Sequence, residues 1–166
     1  MQEAYHNEFE LVPYDSSVAG EAFALIQWWA KKQDGDLVGA FNSTTKLYDF
    51  CRVVKKNGEL YAVLYPDFNA FAFPHSMKIH AVLTSKACAC RDNQVIQFRK
   101  YLEQMFDKGL HKAIIEFPTL SRLTKKIIEP LGFVKEGVKR LEWFCKGTYY
   151  DIHIYGLLAT EFRGLR

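Results

Sequence analysis

The stretch that most constrains this chain is residues 127–162, IIEPLGFVKEGVKRLEWFCKGTYYDIHIYGLLATEF. Leu131-Gly132-Phe133 reads as a helix end. A glycine just past the last turn adopts the positive φ needed there, and Phe133 folds back onto that turn. Val138 to Phe144 and Tyr149 to Leu157 are rich in β-branched and aromatic residues, with Lys146-Gly147 between them as a hairpin connection. A helix feeding directly into an antiparallel hairpin excludes an all-helical domain and requires a sheet with at least one antiparallel pair.

Upstream, Phe9 to Tyr14 is a short apolar strand, followed by Asp15-Ser16-Ser17 as capping oxygens. Val18, Ala22, Leu25, Ile26 and Trp29 recur at helical spacing and predict a helix that ends at Lys31 to Asp36. Ser43 to Lys56 is expected to form a second helix, with Leu47, Phe50, Cys51 and Val54 inward and Asn57-Gly58 as its stop. The period then changes to two. Leu60 to Tyr65, Ala70 to Phe73 and Lys78 to Leu83 predict three strands in an antiparallel meander, separated by Pro66-Asp67 and Pro74-His75-Ser76. Phe71-Ala72-Phe73-Pro74 is expected to offer an apolar margin for a partner.

A polar connector, Thr84 to Asp92, leads into a helix from Asn93 to Lys108 with Val95, Phe98, Leu102, Met105 and Phe106 on its buried side and Gly109 as its end. His111 to Phe117 is a strand. Leu120, Leu123, Ile127 and Ile128 stripe the helix that runs to Gly132. The whole predicts an α/β domain with a mixed, largely antiparallel sheet of about seven strands and about four helices, spanning residues 1–166 as one unit.

Composition narrows the class. The 166 residues carry 22 basic and 19 acidic side chains, a net charge of +3, and the cations are scattered, so nucleic acid is not the expected partner. No apolar run approaches membrane-spanning length, and the N-terminus has neither a basic n-region nor an apolar h-region, which predicts a cytoplasmic protein without a membrane partner. Cys51, Cys88, Cys90 and Cys145 lie in apolar or strand-like surroundings and read as reduced thiols. Cys88 and Cys90 lack further ligands at suitable spacing, so no metal site is expected.

The run Leu131-Gly132-Phe133, Glu136-Gly137, Gly147-Thr148-Tyr149-Tyr150-Asp151 and the apolar Ile152 to Leu158 resembles the C-terminal part of the GNAT acyltransferase superfamily, especially its ribosomal-protein N-acetyltransferases. Leu102 to Phe117 is similar to that family's helix and strand around F-x-x-x-G-L-H-R. The likeness covers roughly residues 80 to 162; the N-terminal half fits by element order alone. It implies a single GNAT-like domain using acetyl-CoA.

That family holds the CoA pyrophosphate on a loop of pattern R/Q-x-x-G-x-G/A opening a helix, where glycines allow close approach and backbone N–H groups face phosphate. The matching positions here are Ala89 to Gln94, and none of the three hallmark residues is kept. Asp92 stands at the central glycine and is expected to cap the helix, competing with phosphate for its N–H groups. The cofactor-binding residues that the resemblance leaves are Thr84, Ser85, Arg91, Asn93, Gln94 and, at the start of the next helix, Ser121. Lys86 and Arg99 are further cations nearby. The family's general-acid tyrosine is matched by Ile128, which has no proton to give. The candidate catalytic residues are His80 and Glu116 as bases and Tyr150, one of a strand pair in which one tyrosine lines the acceptor cleft.

Two functions follow. One is an N-acyltransferase moving an acetyl group from acetyl-CoA to a primary amine of a protein or small molecule. The other is a GNAT-fold protein that has lost acetyl-CoA binding and serves in binding or assembly, alone or with other chains, as degenerate members do, including some encoded by bacteriophages. For a phage-encoded chain the location would be host cytoplasm or virion.

Overall fold

The computed structural model describes residues 9–32, 49–88 and 90–165. Seven strands form one sheet: β1 (Phe9–Pro13), β2 (Arg52–Lys56), β3 (Glu59–Ala72), β4 (Ser76–Leu83), β5 (Lys112–Pro118), β6 (Val134–Cys145) and β7 (Thr148–Leu158). The helices among the described residues are α1 (Ala19–Lys32), α2 (Ser85–Cys88), α3 (Arg91–Asp107), α4 (Arg122–Ile128) and α5 (Ala159–Gly164), with a 3₁₀ turn at Glu129–Leu131. Spatial order is β1-β2-β3-β4-β5-β7-β6. Every neighbouring pair is antiparallel except β4 and β5.

Period-two alternation divides the core between the two faces of the sheet. Val53, Val63, Tyr65 and Val82 meet Val18 and, in α1, Ala22 and Ile26. Leu64, Met77, Ile79, Ala113, Ile115 and Phe117 meet the α3 residues Phe98, Tyr101, Leu102, Met105 and Phe106. The C-terminal elements close the second core: Leu157 of β7 and Phe162 of α5 are fully buried, and Phe162 packs on Phe106 with ring centroids 5.2 Å apart. Gly132 ends the 3₁₀ turn at φ 86°, as expected for a glycine-closed helix end, and Phe133 beyond it stacks on Phe98 of α3. Lys146 and Gly147 both have positive φ, the geometry of a tight hairpin turn.

Several expectations are corrected. Residues 52–56 form strand β2 and not the end of a helix; residues 43–48 lie outside the described residues. β2 is paired on both sides, with β1 and β3, and its buried Val53 and Val54 favour a strand. Asn57-Gly58 therefore is no helix stop. Both residues have positive φ (50° and 79°), making a two-residue hairpin turn between β2 and β3. Pro66-Asp67 does not separate two strands. β3 runs through it with a register shift between Pro66 and Phe71, and it does so beyond Leu64, the last β3 residue paired with β2, where a missing N–H costs no ladder bond on that side.

Residues 71–72 pair with β4 on one side, while β2 pairs with β3 only as far as Leu64; among the described residues the outermost strands are β1 and β6. The long helix begins at Arg91, two residues before expectation. Cys90 is its N-cap and Asp92 stands inside its first turn, so Asp92 is not the cap. Leu120 precedes α4 and is 55% exposed, so it does not belong to the buried stripe. Helices α2 and α5 were not anticipated.

Candidate functional site

β4 and β5 are bonded at only three register pairs, Ser76 with Lys112, Met77 with Ala113 and Lys78 with Ile114. β4 continues to Leu83 and β5 to Pro118 without pairing with each other, so two parallel strands part toward their carboxyl ends. In open sheets that is where ligands enter, because the backbone groups freed by the parting face a crevice. Here the crevice belongs to a cavity of about 550 Å³. Its walls include Ile79, Ala81 and Leu83 of β4, Ile115 and Phe117 of β5, and Asn93, Gln94 and Gln97 of α3.

On the sheet face opposite α3, a chain of charges crosses the parting strands. Asp67 Oδ2 lies 2.6 Å from Lys78 Nζ and 3.4 Å from His80 Nε2. Lys78 Nζ is 3.6 Å from Glu116 Oε2, which accepts a hydrogen bond from Lys139 Nζ at 2.9 Å. Lys78 occupies the last paired position, so its ammonium clasps the apex where the strands separate. Burial alone would lower the Lys78 pKa, but the Asp67 and Glu116 carboxylates outweigh it and hold the ammonium above its ordinary value. The Tyr65 ring stacks on His80 at 5.3 Å, and burial, then the Asp67 charge, keep that phenol protonated far above its usual range.

His80 and Glu116, expected as bases, both line the cavity. Asp67 bound at Nε2 leaves His80 Nδ1 as the nitrogen free to accept a proton from a bound group. Glu116 is committed to two ammonium partners. Tyr150 lies outside the cavity lining, opposite Trp143 in the terminal hairpin, and Tyr149 packs on Phe144 at the surface, with centroids 4.9 Å apart.

Of the residues expected to hold a cofactor, Asn93, Gln94 and Ser121 line the cavity. Thr84 Oγ1 accepts the Ala87 N–H at 3.2 Å and so caps α2; Ser85 and Arg91 are exposed. Ser121 Oγ shares a hydrogen with Thr124 Oγ1 at 2.5 Å. Ala89 lies outside the described residues. On either side of it, the Cys90 N–H and the Gln94 Nε2 both donate to the Ala87 carbonyl, which draws the start of α3 onto the end of α2.

Asp67, Lys78 and Lys139 were missed by sequence reasoning because they meet only across strands distant in the chain. Gln97 had a signal: it is polar, yet it recurs with Gln94, Phe98 and Tyr101 at helical spacing on the buried side of α3, and it is only 2% exposed. Cys51 is fully buried and burial pushes its thiol up to about 12, so it is inert. Among the described residues no cluster of three or more His, Cys, Asp or Glu side chains could hold a metal ion, and no helix is long and apolar enough to cross a membrane.

No protein-family model and no curated protein sequence matches the chain. Solved structures match its fold throughout. The spermidine N-acetyltransferase of Vibrio cholerae, in complex with CoA and spermine, superposes with a TM-score of 0.73 at 15% identity, over 94% of this chain and 98% of that one. The ribosomal-protein-S5-alanine acetyltransferase of Vibrio fischeri gives 0.73 at 18% identity, over 93% and 95%. The ribosomal-protein-S18-alanine N-acetyltransferase of Escherichia coli gives 0.72 at 10% identity, over 91% and 94%. The chain therefore has the GNAT acetyltransferase fold, a mixed α/β fold built on a seven-stranded sheet.

Proposed function

We propose that this protein is an N-acyltransferase that moves an acetyl group from acetyl-CoA to a primary amine. The observation that carries the reading is the parting of β4 from β5 after Lys78, which opens the cavity beside His80 and Glu116. The apolar walls Ile79, Leu83, Ile115 and Phe117 suit a thioester arm, and the first turn of α3 with exposed Arg91 would face its phosphates. When bound, acetyl-CoA supplies the activated acyl group. His80 Nδ1 takes the proton that the amine sheds as its nitrogen bonds to the acyl carbon, and Asp67 holds the imidazole through Nε2. The carbon–sulfur bond breaks, and the departing thiolate takes its proton from solvent. The amine attacks as its free base, having given its ammonium proton to solvent, and Glu116, anchored by Lys78 and Lys139, is held fixed at the cavity wall beside it.

The test is binding followed by turnover. Acetyl-CoA at 100 times its Kd raises stability by about 2.7 kcal/mol, seen as a higher Tm. With a panel of primary amines, His80→Ala lowers kcat/KM about 10²- to 10⁴-fold while acetyl-CoA still raises Tm. No Tm shift at millimolar acetyl-CoA would sink the reading.

A second reading, a GNAT-fold binding or assembly protein without acetyl-CoA, is favoured by one observation. Asp92 places a carboxylate in the first turn of α3, and among the described residues no lysine or arginine lines the cavity. It expects no response to acetyl-CoA and a stable association on size-exclusion chromatography.

A further inference from the structure

The α3 side of the cavity holds two polar atoms that the fold leaves unsatisfied. Cys90, Asn93, Gln94, Gln97 and Phe98 fall at i, i+3, i+4, i+7 and i+8, so one stripe of α3 faces the cavity, and all five line it. Gln94 Oε1 and Gln97 Oε1 are buried and have no hydrogen-bond partner among the described residues. The orientation of each amide is fixed by its other end. Gln94 Nε2 donates to the Ala87 carbonyl and Gln97 Nε2 donates to the Phe9 carbonyl at 3.4 Å; turning either amide over would set oxygen against oxygen. Both acceptors therefore stay acceptors, one helical turn apart.

Around them the wall is apolar: Phe9, Val54 and Ala62 form a small cluster with Tyr61, Leu83 and Cys90 packed against it. Phe9 and Tyr61 meet edge to face at 5.3 Å. A buried amide oxygen without a donor destabilises the fold, because it has given up its hydrogen bonds to water and gained none in return. The amide nitrogens serve the Ala87 and Phe9 carbonyls, but those bonds leave the two oxygens turned to an apolar wall. The same acceptors offer no hydrogen to a carboxylate, and among the described residues no lysine or arginine lines the cavity.

We propose that this end of the cavity is a binding subsite for a neutral group carrying an O–H or N–H donor on an apolar, preferably aromatic, body. The donor bonds to Gln97 Oε1 or Gln94 Oε1 while the ring rests against Phe9 and Tyr61. The subsite stands whether or not acyl transfer takes place at the parted strands. Loss of acetyl-CoA binding leaves it untouched, and its own failure leaves acyl transfer untouched.

Three probes of similar size test it on the full chain: phenol, toluene and benzoate, followed by the side-chain amide resonances of Gln94 and Gln97 in ¹H–¹⁵N spectra. Phenol is expected to shift both resonances and to bind at least tenfold more tightly than toluene, with benzoate not binding. In Gln97→Leu the preference for phenol falls toward parity while toluene still binds; Gln94→Leu provides the same comparison should Gln97→Leu fold poorly. Equal affinity for phenol and toluene overturns the proposal, and so does a preference that survives both substitutions. Absence of phenol binding up to its solubility limit, as for a water held too firmly between the two oxygens to be displaced, overturns it as well.

Discussion

The two junctions made by β5 behave in opposite ways. Toward β7 it is bonded along its whole length, seven register pairs from Lys112 with Leu158 to Pro118 with Ile152. Toward β4 it is bonded at three and then released. Both flanks place Ile115 and Phe117 over the same core, so hydrophobic demand does not separate them. The difference is direction. An antiparallel neighbour keeps its ladder perpendicular to the strands, whereas a parallel pair has slanted, slightly weaker bonds and can part where side chains on another element give the freed walls a lining. The closed junction supplies rigidity and the open one supplies space, and the candidate chemistry collects on the open side.

The largest expected effect contrasts core positions on the two sides. Leu157→Ala on β7, fully buried, is expected to cost about 2–5 kcal/mol in urea unfolding. Leu83→Ala, half-buried on a wall of the cavity, is expected to cost less than about 1.5 kcal/mol because the space it faces is already open. Equal losses would mean that the cavity wall is packed as tightly as the hairpin.

Next comes the clasp at the apex. Lys78→Met leaves the Asp67 and Glu116 carboxylates without their shared ammonium and is expected to cost about 1–2 kcal/mol at pH 7. Because the folded pKa of Lys78 is raised above the ordinary 10.5, its contribution is fully present below that value. It is lost as pH rises through the folded value. The stabilities of the wild type and Lys78→Met should therefore converge above about pH 10.5 and run parallel from pH 7 to 9. Denaturation curves across that range check both the size and the sign.

On the closed side, Glu136 of β6 reaches across β7 to Lys112 of β5, with 2.7 Å between Oε1 and Nζ. It crosses where Gly156 has no side chain: a Cβ there would lie 2.3 Å from Glu136 Oε1. The obstructed atoms are the end of a flexible chain, so Gly156→Ala should turn the carboxylate away and cost no more than about 1 kcal/mol. In a Glu136→Ala background the same substitution should cost nothing further, and a double-mutant cycle measures this. A full additive cost would show that the backbone, and not the ion pair, needs the glycine.

The smallest effect lies at the start of α1. Asp15 Oδ1 accepts hydrogen bonds from the Ser17 N–H at 2.8 Å and from the Ser17 hydroxyl at 2.5 Å, and these bonds lower its pKa. A lowered folded pKa gives stability that is present above the unfolded value and lost as pH falls through the folded one. Asp15→Ala should thus lower Tm slightly at pH 7 and leave it unchanged once wild-type Asp15 is protonated. An undiminished difference in acid would point to a role for Asp15 other than these bonds to Ser17.

Much of the closed side was legible in the sequence. The hairpin from Val134 to Leu158 has its own punctuation in Gly132 and Lys146-Gly147, and the α3 stripe of Phe98, Leu102, Met105 and Phe106 shows in its spacing. Where reading failed locally, a competing rule had won: Asn57-Gly58 serves equally as helix stop or hairpin turn, and only the pairing of β2 on both sides decides for the turn. The open side was legible only in fragments. His80, Glu116, Asn93, Gln94 and Ser121 could be named one by one, but nothing local says that they line one cavity or that Asp67 joins them.

What the sequence by itself determined was the set of elements, the faces they bury and the resemblance of the final third to a known scaffold, because turn geometry and hydrophobic period are properties of neighbouring residues. Tertiary structure alone decided where β4 leaves β5, which carboxylates share Lys78, and that Gln94 and Gln97 keep an unpartnered oxygen. Those outcomes depend on register between strands and helices tens of residues apart, and long-range register leaves no mark in the local pattern of the chain.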